Sequence, residues 1–342
     1  ERNPFFDAWV RSIDIVPLLN TDDLTGGLPL SFLNSEPLNS IVDEILNVDT
    51  NSILPGERLW LAAPYEVRLT NTNLRGVPFA YNVKAAEADA HQGLLMHADH
   101  VAFAVDAPDC VNTSAPPDCI ILNQHKSRDS SDWKMLGLAG LATGAFPLAL
   151  ASRNISVPGD FYKWRSAYFD YELNTKVTSV PSWPEDEVPP LFDYAAVDGG
   201  IMNNEPFELA RQRLAGPRGR NEQSGKNANR AVIIIDPFIQ NPTAGPDRNA
   251  GILDVLKKVV SSQIDQARLS AQNLQQIRNE EIYSRFMIAP SRRNKCEEDL
   301  FGELALASGG LSAFFGFFSE AHRRHDYFLG RRNAQKFLET VF

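Results

Sequence analysis

The segment from residue 194 to residue 206 constrains the fold most, because an apolar run there ends in an acidic residue and two glycines. Tyr-Ala-Ala-Val leads into Asp198, and Gly199 and Gly200 follow it directly. Glycines allow a tight turn and let another backbone or a substrate come close. Residues that favour a helix start come next, namely Asn204, Glu205 and Pro206. The pattern predicts strand, turn and helix, with Asp198 either a catalytic base at the mouth of an α/β sheet or an ordinary acidic turn residue.

Composition excludes two classes of protein. Of the 342 residues, 43% are hydrophobic and 22% are charged, as is typical of a globular protein. The net charge of −10 argues against nucleic acid as the main partner, because neutralising phosphates requires a basic face. The longest dense apolar run, residues 311–318, is well short of the ~20 residues that span a bilayer. We therefore expect no transmembrane helix.

The remaining sequence alternates strand-like and helix-like segments. Strands are predicted at residues 59–73, 101–105, 231–238 and 285–290, and helices at 132–152, 205–214, 252–277 and 321–342. A turn at Arg75-Gly76 is expected to follow the first strand, and the run 231–238 is typical of a buried parallel strand. The alternation predicts an α/β fold with a mainly parallel sheet covered on both faces. We predict one domain over residues 1–342, with insertions around 1–55, 80–132 and 216–230.

Other clusters of chemically active residues allow two readings each. His97 and His100, with His91 nearby, resemble a metal site, but solvated loop histidines give the same pattern. The phenylalanine-rich segment 311–318 precedes a group of arginines and a lysine at 323–336. This arrangement suits contact with anionic lipid, or else core phenylalanines beside a solubilising helix.

The three cysteines leave the compartment open. Cys110 and Cys119 flank a polar, proline-containing loop and are placed to form a disulfide. An odd cysteine count at low density is more typical of an intracellular protein with thiols, and Cys296 has no neighbour in sequence to pair with. We predict a cytoplasmic protein, with peripheral membrane contact as an option.

Several segments resemble the patatin-like phospholipase family, and they occur in the family's order. Residues 142–150, which contain Gly-Ala-Phe-Pro, look like the helix that follows the family's variable insertion, and residues 197–210 look like its Asp-Gly-Gly motif. Further segments fit the larger bacterial members, namely residues 67–77, 233–238, 286–292 and 329–338. The resemblance covers most of the chain. It implies a three-layer α/β/α fold with a mainly parallel central sheet.

The resemblance also implies an activity. Patatin-like enzymes hydrolyse acyl esters with a Ser–Asp dyad, in which the serine lies on a Gly-x-Ser-x-Gly turn and the aspartate is the general base. On this basis we expect the chain to belong to a lipid acyl hydrolase of phospholipase A type, or to a related carboxylic ester hydrolase. Asp198 matches the base, and Gly199 and Gly200 support its turn. The substrate is a lipid or another acyl ester, and neither a cofactor nor a metal is implied.

The chain departs from the family pattern at the nucleophile. No Gly-x-Ser-x-Gly and no triple-glycine oxyanion loop occur in it, and Ser308 and Ser312 beside Gly309-Gly310 lack the flanking pattern. Because Glu1 is not a start methionine, we expect the nucleophile on a missing N-terminal segment of the same protein, which would pair with this chain. The alternative is a catalytically inactive patatin-fold module for lipid binding or interaction.

Overall fold

The computed structural model describes most of the chain. The chain forms two compact units, and the segments of one unit alternate along the sequence with those of the other. The described residues are 3–24, 27–47, 64–84, 89–106, 115–123, 129–170, 175–178, 180–203, 206–215, 222, 224–238, 251, 254–255, 258, 262, 285–309 and 314–341. The sheet unit comprises Asp22–Ser35 and Asp49–Pro206, and the terminal unit comprises Glu1–Thr21, Glu36–Val48 and Phe207–Phe342. The single domain predicted over residues 1–342 stays a prediction.

The sheet unit is built around a five-stranded sheet in the order β3-β2-β1-β7-β4. A separate antiparallel pair, β5 with β6, accompanies it. The strands of this unit are β1 (Tyr65–Lys84), β2 (Asp89–Asp106), β3 (Cys119–Asn123), β4 (Arg153–Pro158), β5 (Ser166–Asp170), β6 (Thr175–Thr178) and β7 (Leu191–Asp198). The fold is therefore mixed α/β, as the sequence predicts.

The prediction of a mainly parallel sheet is wrong for these five strands. Only β2 and β3 run parallel, whereas β1 is antiparallel to both β2 and β7, and β7 is antiparallel to β4. Residues 85–88 alone join β1 to β2, and a parallel crossover needs about a dozen residues or more. This short connection therefore requires β1 and β2 to run antiparallel.

The first strand is also longer than the sequence predicts. It continues to Lys84, and the expected turn at Arg75-Gly76 is a bulge where the register with β2 shifts between Thr72 and Val77. Gly76 has a φ of 77° at this point, a left-handed conformation that glycine adopts without strain. Residues 80–132, predicted as an insertion, accordingly contain β2 and β3 of the sheet itself.

One face of the sheet carries the core. Phe103, Ile155 and Phe192 are completely or almost completely buried there, and α4 packs against the same cluster through Ala139 and Ala142. The helices of the two units are α1 (Pro4–Phe6), α2 (Ile15–Leu18), α3 (Glu36–Leu46), α4 (Ser131–Thr143), α5 (Gly200–Asn203), α6 (Phe207–Ala215) and α7 (Glu320–Val341). The predicted helix 132–152 is shorter in the structure, because it ends at Gly144 and the chain re-forms as β4.

The terminal unit combines helices with two short sheets. A π-helical turn, Asp7–Ser12, continues α1, and Phe314–Phe318 forms a 3₁₀ turn before α7. The strands are β8 (Val232–Ile235), β9 (Arg285–Ile288), β10 (Ser291–Arg293) and β11 (Asp299–Phe301). β8 and β9 pair in parallel, which confirms the parallel strand predicted at 231–238, although Ile233 and Ile235 on it are exposed. The predicted helix 252–277 lies almost wholly outside the described residues.

A buried arginine ties the terminal unit together. The Arg323 guanidinium on α7 donates to the carbonyl oxygens of Val10 at 2.9 Å and Gly316 at 2.7 Å. Both interpretations of the sequence, a lipid-facing positive patch and a solubilising helix, place this arginine on the surface, but it is only 9% exposed. Phe315 and Phe318 nearby are exposed, so the aromatic part of the predicted patch does reach the surface. Across the described helices, none is long and apolar enough to cross a membrane.

Candidate active site

Asp198 is the last residue of β7, and its main chain is fixed from two sides. Its backbone N–H donates to the carbonyl oxygen of Ala145 at 2.9 Å. The Thr72 hydroxyl on β1 donates to the Asp198 carbonyl oxygen at 2.8 Å. Ala145 belongs to the Gly-Ala-Phe-Pro segment that follows α4. The structure thus brings together the two segments on which the family resemblance most depends.

Gly199 turns the chain directly over β1. A Cβ atom at this position would lie 2.5 Å from the Thr70 hydroxyl oxygen and 2.6 Å from the Thr70 carbonyl oxygen. Contacts this short do not occur for real side chains, and one of them is to backbone, which cannot rotate away. Glycine is therefore required at position 199, as the sequence predicts for a residue that supports the turn.

The Asp198 carboxylate has one backbone donor and a raised pKa. The Gly200 N–H donates to its Oδ1 atom at 2.7 Å, which is how an aspartate holds a tight turn or begins a helix. Burial raises the pKa of Asp198, and the Gly200 hydrogen bond opposes this rise. A carboxylate whose ionised form is destabilised in this way is a stronger proton acceptor. Among the residues described, no serine hydroxyl is hydrogen-bonded to it.

A buried polar cluster lies on the same face of the sheet, and sequence reasoning missed it. Asp99 on β2 accepts from Asn73 and from the Tyr162 hydroxyl, each at 2.8 Å, and forms an ion pair with Arg165. Burial acts to raise the pKa of Asp99, but the Arg165 charge and these hydrogen bonds outweigh it, so the pKa is lowered. The available signal was polar residues at alternate positions of β1, where Asn71 and Asn73 replace the apolar residues expected on a core face.

The opposite face of the sheet carries a second polar cluster. Arg68 on β1 donates to Asp118 at 2.9 Å and contacts His100 Nε2 at 2.8 Å. Burial, followed by the charge of Arg165, lowers the pKa of His100 to about 4. His100 is therefore neutral at pH 7.

These contacts bear on the metal hypothesis for the histidines. His97 and His100 lie three residues apart on one strand, so their side chains project to opposite faces. His97 Nδ1 contacts the Asn73 carbonyl oxygen at 2.7 Å, and the side chain of His91 lies outside the described ones. Within the described part of the chain, no three histidine, cysteine or acidic residues are grouped as metal ligands. The Cys110–Cys119 pairing also falls outside, because Cys110 is not described.

The terminal unit contains a Ser–Asp contact of a different kind. Ser308 Oγ donates to Asp326 Oδ2 on α7, and the backbone N–H groups of Ala307 and Ser308 donate to the same carboxylate at 2.7 and 2.9 Å. His325 Nδ1 is 2.8 Å from Asp326 Oδ1. Burial acts to raise the pKa of Asp326, but hydrogen bonds from Ser308, His325 and the backbone lower it overall. A carboxylate held in this way is a weak base that fastens the loop to α7.

Comparison with known proteins gives a relative but no activity. The uncharacterized protein y4iI of Sinorhizobium fredii is 32% identical to this chain over an alignment of 365 positions, gaps included, which covers 97% of the chain and 50% of that protein. The chain thus spans about half the length of the curated relative it matches. No model of a known protein family matches the chain, and no solved structure matches it.

Proposed function

We propose that the protein is a lipid acyl hydrolase of the patatin-like type, in which Asp198 is the general base. The observation that carries this proposal is a half-buried carboxylate with a raised pKa, held at the end of β7 by a glycine turn and by the Gly-Ala-Phe-Pro segment. The substrate class is a phospholipid or another acyl ester. In this proposal the sheet unit is the core of a three-layer α/β/α patatin-like fold.

The proposed reaction needs a serine from outside this chain. Asp198 takes the proton of the serine hydroxyl as the serine oxygen attacks the ester carbonyl, and it later returns a proton to the leaving alcohol. Raising the pKa of the base brings it closer to the pH at which proton transfer is most efficient. The relative twice as long as this chain supports looking for the nucleophile in the rest of the protein.

The test is ester hydrolysis by the full-length protein and its Asp198→Asn variant. A general base is worth about 10²- to 10⁴-fold in rate, so Asp198→Asn should lower kcat by at least about 100-fold with the folded state intact by circular dichroism. Short-chain p-nitrophenyl esters and phospholipid vesicles are assayed side by side. Asp193→Asn, an exposed aspartate on the same strand, is the matched control. Equal activity of the Asp198→Asn variant and the wild type would remove Asp198 as the base.

A second candidate is a catalytically inactive module with the same fold that binds lipid. The hydrogen bond from Gly200 to Asp198 favours it, because that contact alone gives the carboxylate a structural role in the turn. Vesicle co-sedimentation separates the two candidates. The binding module would be favoured if the wild-type protein does not hydrolyse esters and if it and the Asp198→Asn variant bind phospholipid vesicles equally well.

A further inference from the structure

Asn71 is a buried amide whose polar atoms have no partner in the described structure. It lies on β1, is 1% exposed, and neither its Oδ1 nor its Nδ2 atom forms a hydrogen bond with any residue described here. Buried polar groups in native proteins are almost always paired, so an orphaned one needs an explanation such as a bound water, ligand or catalytic role. An amide with both a free donor and a free acceptor can bind a polar group that itself accepts and donates a hydrogen bond, such as a hydroxyl.

The register of the sheet places Asn71 between two carboxylates. Asn71 pairs with Asp198 on β7 and with Asp99 on β2, so the three side chains project from the same face, and the Cβ atoms of paired residues lie about 4.5–5.5 Å apart. Asp99 already accepts from Asn73, Tyr162, Arg165 and the His100 N–H. Within the described part of the chain, the Asp198 carboxylate accepts a hydrogen bond only from the Gly200 N–H. Of the two carboxylates beside Asn71, Asp198 is therefore the one that can still accept further hydrogen bonds.

Besides the two polar atoms of Asn71, a tyrosine hydroxyl on this face of the sheet is also unpaired among the described residues. Tyr194 lies on β7 on the same side as Asp198, and its hydroxyl is buried and unpaired among the described residues. Burial, followed by the charge of Asp99, raises its pKa. The Asn71 amide is near enough to offset part of this rise, although the geometry is not that of a hydrogen bond. The Tyr194 hydroxyl and the Asn71 amide thus lie near each other on the face of the sheet that carries Asp198.

We infer that Asn71 is a positioning residue that holds a reactive hydroxyl group beside Asp198. A hydroxyl has one donor and two acceptor lone pairs, so it accepts from Asn71 Nδ2 while donating its proton to the free oxygen of Asp198. The hydroxyl oxygen then bonds to the ester carbonyl carbon, the O–H bond breaks, and Asp198 receives the proton. The displaced carbonyl electron pair moves to the carbonyl oxygen. This inference rests on the proposed function, and the hydroxyl belongs either to a serine or to a water.

The direct test compares Asn71→Leu and Asn71→Asp with wild type in the full-length protein. Asn71→Leu removes both hydrogen-bonding atoms in a similar volume, and replacing an unpaired buried amide with an apolar group should leave Tm unchanged or raise it. We expect kcat to fall about 10- to 100-fold with KM within about twofold. Asn71→Asp places a second carboxylate opposite Asp198, so the acidic limb of the pH–rate profile should move to higher pH. Asn154→Leu, an exposed asparagine on β4, is the control and should change neither.

The outcomes separate this inference from the proposed function. If Asp198→Asn is inactive while Asn71→Leu keeps full kcat, the role of Asn71 is wrong and the function stands. If Asn71→Leu lowers Tm and activity together, and Asn71→Asp leaves the pH profile in place, Asn71 is only structural. Full activity of Asp198→Asn would overturn the function itself. Covalent labelling by a fluorophosphonate together with a burst of product identifies a serine hydroxyl, and turnover without either identifies water; both support a hydroxyl held by Asn71.

Discussion

Asp198 and Asp326 are both partly buried aspartates beside a loop, yet their surroundings shift their pKa values in opposite directions. Asp198 in the sheet unit receives one backbone hydrogen bond, and burial raises its pKa. Asp326 in the terminal unit receives donors from Ser308, Ala307 and His325, and its pKa is lowered. The number of donors, more than the degree of burial, separates the two. Asp326 holds a loop in place, whereas Asp198 retains the basicity that the proposed reaction requires.

The strongest test of this comparison is to remove each charge and follow activity. Asp198→Asn should lower kcat by at least about 100-fold, because a general base contributes about 10²- to 10⁴-fold. Asp326→Asn should leave kcat within about threefold, because its carboxylate is a weak base committed to fastening a loop. The measurement is steady-state ester hydrolysis normalised to folded protein. A comparable loss of kcat in both variants would break the distinction.

Gly199 offers the next largest effect, through the turn that carries Asp198. Gly199→Ala forces a Cβ atom into the Thr70 hydroxyl and backbone, and overpacking of this kind costs about 1–3 kcal/mol. We expect a lower midpoint in chemical denaturation and a lower kcat, because the carboxylate shifts with the turn. The control is Gly140→Ala on α4, where nothing lies within 4 Å of the new Cβ and where alanine should be neutral or stabilising. Equal behaviour of the two variants would show that Gly199 is not required.

Unfolding measurements test the structural role of Asp326. Asp326→Ala leaves the Ala307 and Ser308 N–H groups without their acceptor, and unpaired buried donors cost about 1–3 kcal/mol. Ser308→Ala removes only the hydroxyl donor and should cost less, about 1 kcal/mol. Urea unfolding curves give both free energies. A larger loss for Ser308→Ala than for Asp326→Ala would mean that the hydroxyl, and not the carboxylate, anchors the loop.

The smallest expected effect is the pH dependence of unfolding, which should have opposite signs for the two residues. The pKa of Asp326 is lowered in the folded state, so its contribution is present above the unfolded pKa of about 3.9 and is lost as the pH falls through the folded pKa. The pKa of Asp198 is raised, so its ionised form disfavours folding at neutral pH. Asp198→Asn should therefore be slightly more stable than wild type at pH 7. This advantage should shrink as the pH falls towards about 3.9.

Thermal unfolding from about pH 2 to about pH 8, a range that includes the pH values below the unfolded pKa of aspartate, measures the difference between each variant and wild type. Asp193→Asn, on the exposed side of β7, should show almost no pH-dependent difference. A destabilised Asp198→Asn variant at pH 7 would mean that the Gly200 hydrogen bond, and not the burial of the charge, dominates at Asp198.

The sequence predicted those features that depend on local chemistry. Asp198 and its glycines predicted a strand, a turn and a helix. Hydrophobic periodicity predicted the C-terminal helix, and β-branched residues predicted the parallel strand at 232–235. All three appear in the structure. Local patterns suffice for such elements because each residue's preference depends mainly on its close neighbours.

The pairing between strands could not be predicted from the sequence. The expected turn at Gly76 is a bulge within a strand that continues to Lys84, because glycine suits both conformations equally. Asn71 and Asn73 were not recognised as buried, since strand asparagines commonly face solvent. Asn73 donates to Asp99, and Asp99 also binds Tyr162 and Arg165, which come from a distant part of the chain. Only the folded register reveals that Asn71 stands opposite Asp198.

The hydrogen bond from Arg323 to Val10 joins two residues that the ribosome adds to the chain at very different times. A guanidinium near the end of the chain binds the carbonyl oxygen of Val10 near its beginning, and the terminal unit is drawn from both ends. A ribosome delivers the residues of the sheet unit, which end at Pro206, long before Arg323 emerges. All residues of the sheet unit, Asp198 among them, have therefore been synthesised before the cation that binds the Val10 carbonyl oxygen is available.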